Sequence, residues 1–410
     1  MQEYGSEAER QIAQLLRTAR TKLGLSVAFL SRIDETTRTL QIVDSALPSI
    51  QAGYSGPRDT GFCLAVVEGR LPQVLPDART HPEAVRLHPA DLPQIGPHIS
   101  VPVVLSDGEL YGTFCAFGLT TEPDITARDV LLMEILAEAA AMVIEPQFRL
   151  DQQHAVIRDR LAPVLEAGGP DVVLQPIVSL CSGARIGAEA LSRFPLAWER
   201  SPDVVFDEAH RIGEGDRLEL LALARAVALL DRVPGYVSVN VSPQTVVTRA
   251  CGELLARLPL DRVLLELSEH DPVHDYAVLT RALAPLRERG MRLAIDDVGA
   301  GFSSLRHIVM AAPDVIKLDR SIISGVDQDP VLTKLAQSMV EFAHSFGASV
   351  IAEGVETAEE FALLRSLGVD GGQGWLFGGA APPDQLADLG VVLALPPADP
   401  RVPGPTAPRA

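Results

Sequence analysis

The sequence predicts an α/β protein: a C-terminal TIM-like (β/α)8 barrel preceded by an α+β domain with an antiparallel sheet. The chain has 410 residues, which is longer than one ordinary domain. Its first third shows helix and hairpin patterns, whereas later short apolar runs alternate with helical stretches. We expect the α+β domain over residues 1–145, a helical linker over 146–157, the barrel over 158–392 and a disordered Pro-rich tail over 393–410.

The N-terminal elements follow from local periodicity. Apolar residues recur at helical spacing from Ala8 to Leu23, and SVAFLSRID and TRTLQIVDS then alternate like two half-buried strands around a polar turn. A second hairpin is indicated by ISVPVVL and LYGTFCAFG, which flank Ser106-Asp107-Gly108. The stretch TARDVLLMEILAEAAAMVI predicts a long amphipathic helix that ends before Pro146.

The linker carries Leu150, Ile157 and Val164 at intervals of seven residues. This spacing is typical of a short paired helix that joins two domains. It predicts that the connection between the domains is helical.

Charge and cysteine content limit the classes of function. Lys plus Arg number 35 against 54 Asp plus Glu, and the net charge of −19 repels polymeric nucleic acid. A small phosphate ligand remains compatible, because divalent cations reverse the local sign of an acidic pocket. The four cysteines are scattered, the chain starts with polar residues, and it has no long apolar run. These features predict a cytoplasmic protein without a signal peptide or membrane span.

Nearly every predicted barrel strand carries a polar side chain near its end. In a barrel, residues at the carboxyl ends of different strands converge on one face, so groups distant in sequence form a single site. These residues are Gln175, Glu189, Asn240, Glu266, Asp296, Asp297, Lys317, Glu353 and Gln373.

Several carboxylates buried together require counter-charge, which divalent cations supply. Oxygen ligands without Cys or His suit Mg²⁺ or Mn²⁺ better than zinc. Considered alone, a residue such as Glu189 or Asn240 more often has a structural role. The structural alternative for Lys317 is a salt bridge to Asp296. The paired acids before VGAGFSS favour a metal site when read with the other strand ends. The predicted ligands are Glu189, Asn240, Glu266, Asp296 and Asp297.

The region of roughly residues 5–145 resembles a GAF domain, chiefly through the stretch HISVPVVLSDGELYGTFCAFG and the helix after it. The resemblance implies a sensor domain whose ligand the sequence does not identify. The alternative is a domain that binds no small molecule and mainly dimerises. Cys63, His81, His88 and His98 show no ligand-spaced pair, which disfavours a metal or tetrapyrrole there.

The C-terminal half resembles an EAL-domain cyclic di-GMP phosphodiesterase. The matching stretches cover nearly all of residues 170–378 in the family's order. They are QPIVSLCSGARIGAEALSR, SVNVSP, LELSE, LAIDDVGAGFSSL, PDVIKLDRSII, VIAEGVET and QGWLFG. Departures are Ser192, Val298 and the segment GGAAPP, none of which is a proposed metal ligand.

The resemblance implies a role for each matching residue. Glu189, Asn240, Glu266 and Asp296 would hold one metal, and Asp297 would complete a second position. Lys317 would lie near the attacking water, Glu353 would act as general base or bind the metal water, and Gln373 would support that water. Gln175 and Arg193 would contact the nucleotide, and Glu269 would anchor the glycine-rich loop.

The implied reaction is metal-dependent hydrolysis of cyclic di-GMP to linear pGpG in a homodimer regulated by the N-terminal domain. One alternative is a receptor module that binds cyclic di-GMP and signals without turnover. The other is an unrelated barrel metallohydrolase, which requires the motif order to be a coincidence.

Overall fold

The computed structural model describes residues 6–88, 93–120, 125–268, 272–273, 275–299 and 305–385. The chain forms two compact units, residues 1–153 and 154–410. The domain boundaries expected from the sequence stay predictions, and the predicted Pro-rich tail lies outside the described residues. Within the described ranges, no helix has both the length and the apolar character needed to cross a membrane.

The N-terminal unit is an α+β fold on a six-stranded antiparallel sheet, in the order β3-β2-β1-β6-β5-β4. Its helix α1 begins with a capping box between Ser6 and Glu9. The elements are α1 Glu7–Leu23, β1 Val27–Ile33, β2 Thr37–Ser45, β3 Ser55–Pro57, α2 Cys63–Val67, β4 Val74–Leu75, α3 Pro82–Leu87, β5 His98–Val104, β6 Leu110–Phe117 and α4 Ala127–Glu166.

Both faces of this sheet are buried. On β6, Phe114 packs in a core with residues of α1 and α4, whereas its neighbours Cys115 and Phe117 pack in a second core with residues of α2. Alternate residues of a strand point to opposite faces, so one apolar strand serves both cores. The near-continuous burial of β1 and β6 follows from this two-sided packing.

Helix α4 does not end before Pro146, so that prediction is wrong. The helix runs 40 residues, from Ala127 to Glu166, with Pro146 in its interior. A proline inside a helix removes one hydrogen bond at a cost of about 3 kcal/mol. Packing on both sides offsets this cost, because Ile144 and Phe148 are buried in the first core and Leu161 is buried near the other end.

The three residues of the predicted heptad do not form one exposed seam. Leu150 is exposed, whereas Ile157 and Val164 are buried in a cluster with Val205 and Leu218. Residues 157 and 164 therefore pack on the helices of their own unit and are not available to a paired helix.

The second unit contains a closed eight-stranded barrel, which confirms the predicted fold class. Its strands are β7 Asp171–Ser179, β8 Arg185–Arg193, β9 Tyr236–Asn240, β10 Val263–Ser268, β11 Arg292–Val298, β12 Val315–Leu318, β13 Ser349–Ala352 and β14 Gly371–Gly372. Its helices are α5 Pro202–Arg211, α6 Gly215–Val227, α7 Pro243–Val246, α8 Arg249–Leu255, α9 Tyr276–Arg287, α10 Leu305–Ala311, α11 Arg320–Ile323, α12 Pro330–Ser345 and α13 Ala358–Ser366.

One strand runs against the others. Strands β8 to β14 are parallel, whereas β7 is antiparallel to both of its neighbours. A turn of residues 180–184, with Gly183 at φ +70°, joins β7 to β8 where the other connections contain helices. A short connection of this kind joins only antiparallel strands, so the barrel begins with a hairpin.

An apolar layer fills the barrel below the carboxyl ends of the parallel strands. Each strand from β7 to β13 contributes one residue to it. These residues are Ile177, Ile186, Tyr236, Leu264, Ala294, Val315 and Ile351. Because residues two apart on a strand share a face, the inward residues that come next form a second layer above this one.

Candidate metal centre

The layer above the apolar one is made of charged and polar side chains. Glu266, Asp296 and Lys317 each follow an apolar-layer residue by two positions on β10, β11 and β12, and Glu353 follows Ile351 by two positions, one residue after the end of β13. On β9, Ser238 follows Tyr236 by two positions and Asn240 follows it by four. The strand alternation that builds the apolar layer therefore also aims these groups into the barrel.

Lys317 lies at the centre of this layer and is completely buried. Its Nζ is 2.7 Å from Glu353 Oε1, 2.9 Å from Asp296 Oδ1 and 3.0 Å from Glu266 Oε2. Glu189 Oε2 lies 3.5 Å from the same nitrogen. One ammonium group thus contacts four carboxylates, and the predicted salt bridge to Asp296 is one of four.

Amide and hydroxyl groups hold two of the carboxylates in place. Glu189 accepts hydrogen bonds from Asn240 Nδ2 at 2.9 Å and from Gln373 Nε2 at 2.7 Å. The same Gln373 nitrogen donates to Gln175 Oε1 at 3.0 Å. Glu266 accepts a hydrogen bond from the Ser238 hydroxyl on the neighbouring strand. Both oxygens of Glu189 are therefore oriented by residues far away in sequence.

Burial and mutual repulsion alter the pKa values of these groups. Burial raises the pKa of Glu353 to about 8, and it also raises the pKa of Glu266 and of Asp296. Burial opposes ionisation of Glu189 as well, but Lys317 and the amides of Gln373 and Asn240 lower its pKa overall. The four carboxylates, against burial, raise the pKa of Lys317 well above its usual value.

The backbone is unusual where the paired aspartates lie. Asp297 has φ +57°, in the left-handed region that few non-glycine residues adopt. The pairing of β11 with β12 shifts register between Ile295 and Val298, so the two acids lie in a bulge. A bulge re-aims side chains, and it allows the two consecutive residues Asp296 and Asp297 to serve the same site.

Two overlapping groups of carboxylates have the spacing of metal ligands. Ligand atoms of Glu189, Glu266 and Asp296 lie within 4.8 Å of one another, and so do those of Asp296, Asp297 and Glu353. Asp296 belongs to both groups. The donors are all oxygen atoms, and the raised pKa values indicate that one lysine does not offset burial and repulsion for all of these carboxylates. The donor set therefore fits hard divalent cations.

The remaining predicted residues lie in different places. Gln175 pairs directly with Glu189 across β7 and β8. Arg193 is exposed at the last position of β8, where it donates a hydrogen bond to the Ser192 carbonyl oxygen, and the structure does not join it to the acidic cluster. Glu269 and residues 300–304 of the glycine-rich loop lie outside the described residues.

Sequence reasoning missed Ser238 and Glu360. Ser238 lies two residues before Asn240, and strand alternation alone places both on one face. Glu360 is buried and accepts hydrogen bonds from the backbone nitrogens of Gly325, Glu356 and Thr357. It thereby fixes the segment that follows Glu353. The available signal was the capping box that Thr357 and Glu360 form at the start of α13.

Comparison with known proteins defines the class of the chain. Residues 158–381 match the EAL domain, and residues 7–145 match the GAF domain. The first match covers more than half of the chain, so the chain belongs to the EAL domain family. Both resemblances seen in the sequence are confirmed, in the same order along the chain.

Two individual relatives are similar to part of this chain. The chain is 29% identical over 265 residues to the probable cyclic di-GMP phosphodiesterase PdeB of Escherichia coli, covering 60% of this chain and 49% of PdeB. It is 31% identical over 242 residues to the cyclic di-GMP phosphodiesterase RocR of Pseudomonas aeruginosa, covering 55% of this chain and 60% of RocR. The chain thus spans about half the length of these relatives.

Among solved structures, the PaMucR phosphodiesterase in complex with c-di-GMP is similar to this chain. The identity is 25% and the TM-score is 0.50, and the match covers 56% of this chain and 99% of PaMucR.

The raised pKa of Glu353 predicts a pH dependence of stability in chelator-treated protein. Between the ordinary carboxyl pKa of 4.5 and about 8, folded Glu353 holds a proton that the unfolded chain has lost. The free energy of unfolding should therefore fall as the pH rises from 5 to 8, and Glu353→Gln should reduce this fall. Urea unfolding of the barrel unit, followed by Trp198 and Trp375 fluorescence, measures it.

Exposed Glu356 provides the control for this experiment. Glu356→Gln should keep the pH dependence of the parent protein. Parallel pH profiles for the parent and Glu353→Gln would show that Glu353 is not protonated in the folded state.

Proposed function

We propose that the barrel hydrolyses one phosphodiester of cyclic di-GMP to linear pGpG, using two Mg²⁺ or Mn²⁺ ions. The observation that carries the proposal is the buried cluster in which two carboxylate triads share Asp296 around Lys317. The similarity to the probable cyclic di-GMP phosphodiesterase PdeB, to the cyclic di-GMP phosphodiesterase RocR and to PaMucR, whose structure is a c-di-GMP complex, supports the choice of substrate.

The two ions would share Asp296. Glu189, Asn240, Glu266 and Asp296 would hold one ion, and Asp296 and Asp297 would hold the other, with Glu353 beside that position. Bound there, divalent ions lower the pKa of a water molecule and neutralise charge on the scissile phosphate and the departing 3′ oxygen.

The chain's own residues position the reacting groups. Lys317 holds a positive charge among the acids, and Gln373 fixes the orientation of Glu189 through a hydrogen bond of 2.7 Å. Glu353 would accept the proton of the attacking water as general base, because its carboxylate lies beside Asp296 and Asp297. The water oxygen bonds to phosphorus, and the bond from phosphorus to the 3′ oxygen breaks. The 3′ oxygen takes up a proton from solvent and becomes a hydroxyl, Glu353 returns its proton to solvent, and the product keeps a 5′ phosphate.

Substrate contacts are assigned to the rim of the cluster. Gln175 is linked to the cluster through Gln373, and its amide would face the nucleotide. Arg193 ends β8 with an exposed guanidinium, which suits contact with a phosphate or a guanine base.

A receptor module that binds cyclic di-GMP without turnover is the competing function. Such a module has no need for a complete ligand set, whereas this chain keeps every acid of both triads. The product assay separates the two functions, because a receptor returns intact cyclic di-GMP.

The purified full chain should convert cyclic di-GMP to pGpG with Mg²⁺ or Mn²⁺, and excess EDTA should stop the reaction. Glu189→Gln should lower turnover at least about hundredfold, because it removes a charged ligand and its bond to Lys317. Chromatography of the products over time measures both. Exposed Glu253→Gln is the matched control and should keep the parental rate.

Near-parental turnover by folded Glu189→Gln would show that the site is wrongly assigned. Binding of cyclic di-GMP without any linear product, in either metal, would favour the receptor.

Regulation by the N-terminal unit and a homodimeric state also belong to the proposal. Helix α4 exposes Leu131, Ile135 and Met142, which share one face at helical spacing. Their exposed fractions are 63%, 57% and 68%, and burial against a second copy would remove this apolar surface from water. These features support a dimer that forms along α4.

The C-terminal end of α4 offers a route from a dimer to the substrate contacts. Arg160 makes a salt bridge to buried Glu208, and its guanidinium lies 5.8 Å from the Trp198 ring centroid. Trp198 stacks on Phe194, which directly follows Arg193. A shift of α4 would therefore be transmitted to the end of β8.

Arg160→Met should raise the KM for cyclic di-GMP several-fold, because it loosens the support of the strand that ends in Arg193. Exposed Arg158→Met serves as the control and should leave the KM unchanged. Steady-state kinetics measure this effect, and light scattering of the full chain should give the mass of a dimer. A monomer, or equal KM values for the two variants, would contradict the coupling.

A further inference from the structure

Two cysteine side chains meet in the interior of the N-terminal unit. Cys63 is the first residue of α2, and Cys115 lies on β6, the strand whose residues pack in both cores. Their Sγ atoms are 3.9 Å apart, although the two residues are 52 positions apart in the chain. Both side chains are buried, with exposed fractions of 1% and 0%. Tertiary packing thus brings two thiols into direct contact.

Polar and charged groups surround the two sulfur atoms. Cys115 Sγ lies 3.0 Å from the Ser100 hydroxyl and 3.0 Å from the Thr113 hydroxyl. On the other side, Arg38 Nη1 lies 3.9 Å from Cys63 Sγ. A cysteine in purely apolar surroundings is inert, whereas a neighbouring guanidinium favours the reactive thiolate. The surroundings of this pair are therefore typical of a reactive thiol.

The two thiols differ in how easily they lose a proton. A hydrogen bond with Cys115, aided by the Arg38 charge and opposed by burial, lowers the pKa of the Cys63 thiol to about 5. Burial and the neighbouring Cys63 raise the pKa of Cys115 well above its usual value. At neutral pH, Cys63 is therefore a thiolate and Cys115 is the thiol beside it. The thiolate is the nucleophilic form, so Cys63 is the sulfur that reacts first with an oxidant.

A space beside Cys63 is large enough for a very small oxidant. Cys63 lines a buried cavity together with Arg38 and Phe62, among other residues. About 30 Å³ of this cavity is open to the centre of a water molecule, which is room for roughly two waters. Hydrogen peroxide is only slightly larger than water, so it fits beside the Cys63 sulfur.

We propose that Cys63 and Cys115 are a redox pair that hydrogen peroxide oxidises to a disulfide within the N-terminal unit. The Cys63 thiolate attacks one peroxide oxygen, an S–O bond forms, the O–O bond breaks, and the departing hydroxide takes a proton from solvent. The Cys115 sulfur then gives up its proton and attacks the sulfur of the Cys63 sulfenic acid. The S–S bond forms, the S–O bond breaks, and the hydroxide leaves as water with the Cys115 proton. Two electrons pass from the two sulfurs to the peroxide.

Formation of the bond requires a local movement. The S–S bond of a disulfide is about 2.05 Å long, so the two sulfurs approach each other by about 2 Å from their separation of 3.9 Å. Rotation about the Cα–Cβ bonds of the two cysteines supplies a movement of this size.

Brief oxidation of the purified full chain with a small molar excess of hydrogen peroxide should remove two of its four thiols. Free thiols are counted with a chromogenic disulfide reagent in unfolded protein, and are alkylated before digestion. Mass spectrometry of the unreduced tryptic digest should show peptide 59–70 joined to peptide 87–128, with the loss of two hydrogen atoms. Dithiothreitol should restore all four thiols, because a disulfide is reversible.

Two variants test the order in which the sulfurs react. Cys115→Ser should accumulate a sulfenic acid on Cys63, which dimedone traps at least about tenfold more than in the parent protein, because the resolving thiol is missing. Cys63→Ser should leave Cys115 as a free thiol. Cys251→Ser is the matched control and should form the disulfide like the parent, since Cys251 is also buried but burial raises its pKa to about 11. Circular dichroism confirms that each variant is folded.

Four free thiols in the parent protein after peroxide treatment would overturn the proposal. A linked peptide that contains Cys181 or Cys251 in place of Cys63 or Cys115 would do the same. Equal dimedone labelling of Cys63 in folded Cys115→Ser and in the parent would also contradict it. The parent measurements do not depend on whether a variant folds. The readout is a covalent change in the N-terminal unit, so each result leaves the phosphodiesterase proposal to its own assay.

Discussion

The ammonium group of Lys317 lies within 3.5 Å of oxygens from four carboxylates, and the barrel site depends on this contact. Without it, burial and mutual repulsion would raise the pKa values of these acids further. With it, the charge is partly balanced, so the cluster stays assembled but still needs cations. Burial raises the pKa of Glu266 and of Asp296 even beside this ammonium group. The pKa of Glu189 is lowered, because Glu189 also accepts hydrogen bonds from two amide groups.

The strand geometry places this cluster above an apolar layer. Because inward residues recur at every second position, Val315 and Lys317 on β12, and Leu264 and Glu266 on β10, lie one above the other. The apolar layer excludes water from below and holds the strands in register. The charged layer therefore lies in a rigid, low-dielectric setting, where electrostatic interactions are stronger than in water.

The sequence predicts much of this site, because the strand ends carry local signals. The paired acids Asp296 and Asp297 are recognisable because a glycine-rich stretch follows them, and Lys317 is recognisable because it follows an apolar run. Barrel topology brings these residues together. Ser238 and Glu360 are harder to find, since a serine in a strand and a glutamate in a helix are common residues whose roles depend on a distant partner. The prediction that the helix ends before Pro146 is wrong, because packing on both sides of the proline offsets the free-energy cost of the lost backbone hydrogen bond. The β7–β8 hairpin also depends on tertiary contacts that local periodicity does not contain.

Direct metal binding tests the central claim that two overlapping carboxylate triads form a two-metal site. Mn²⁺ titration of the full chain, with free Mn²⁺ followed by electron paramagnetic resonance, should give two bound ions per chain. Asp296 belongs to both triads, so Asp296→Asn should weaken both sites. Unchanged stoichiometry and affinity in folded Asp296→Asn, or no saturable binding to the parent protein, would contradict the account.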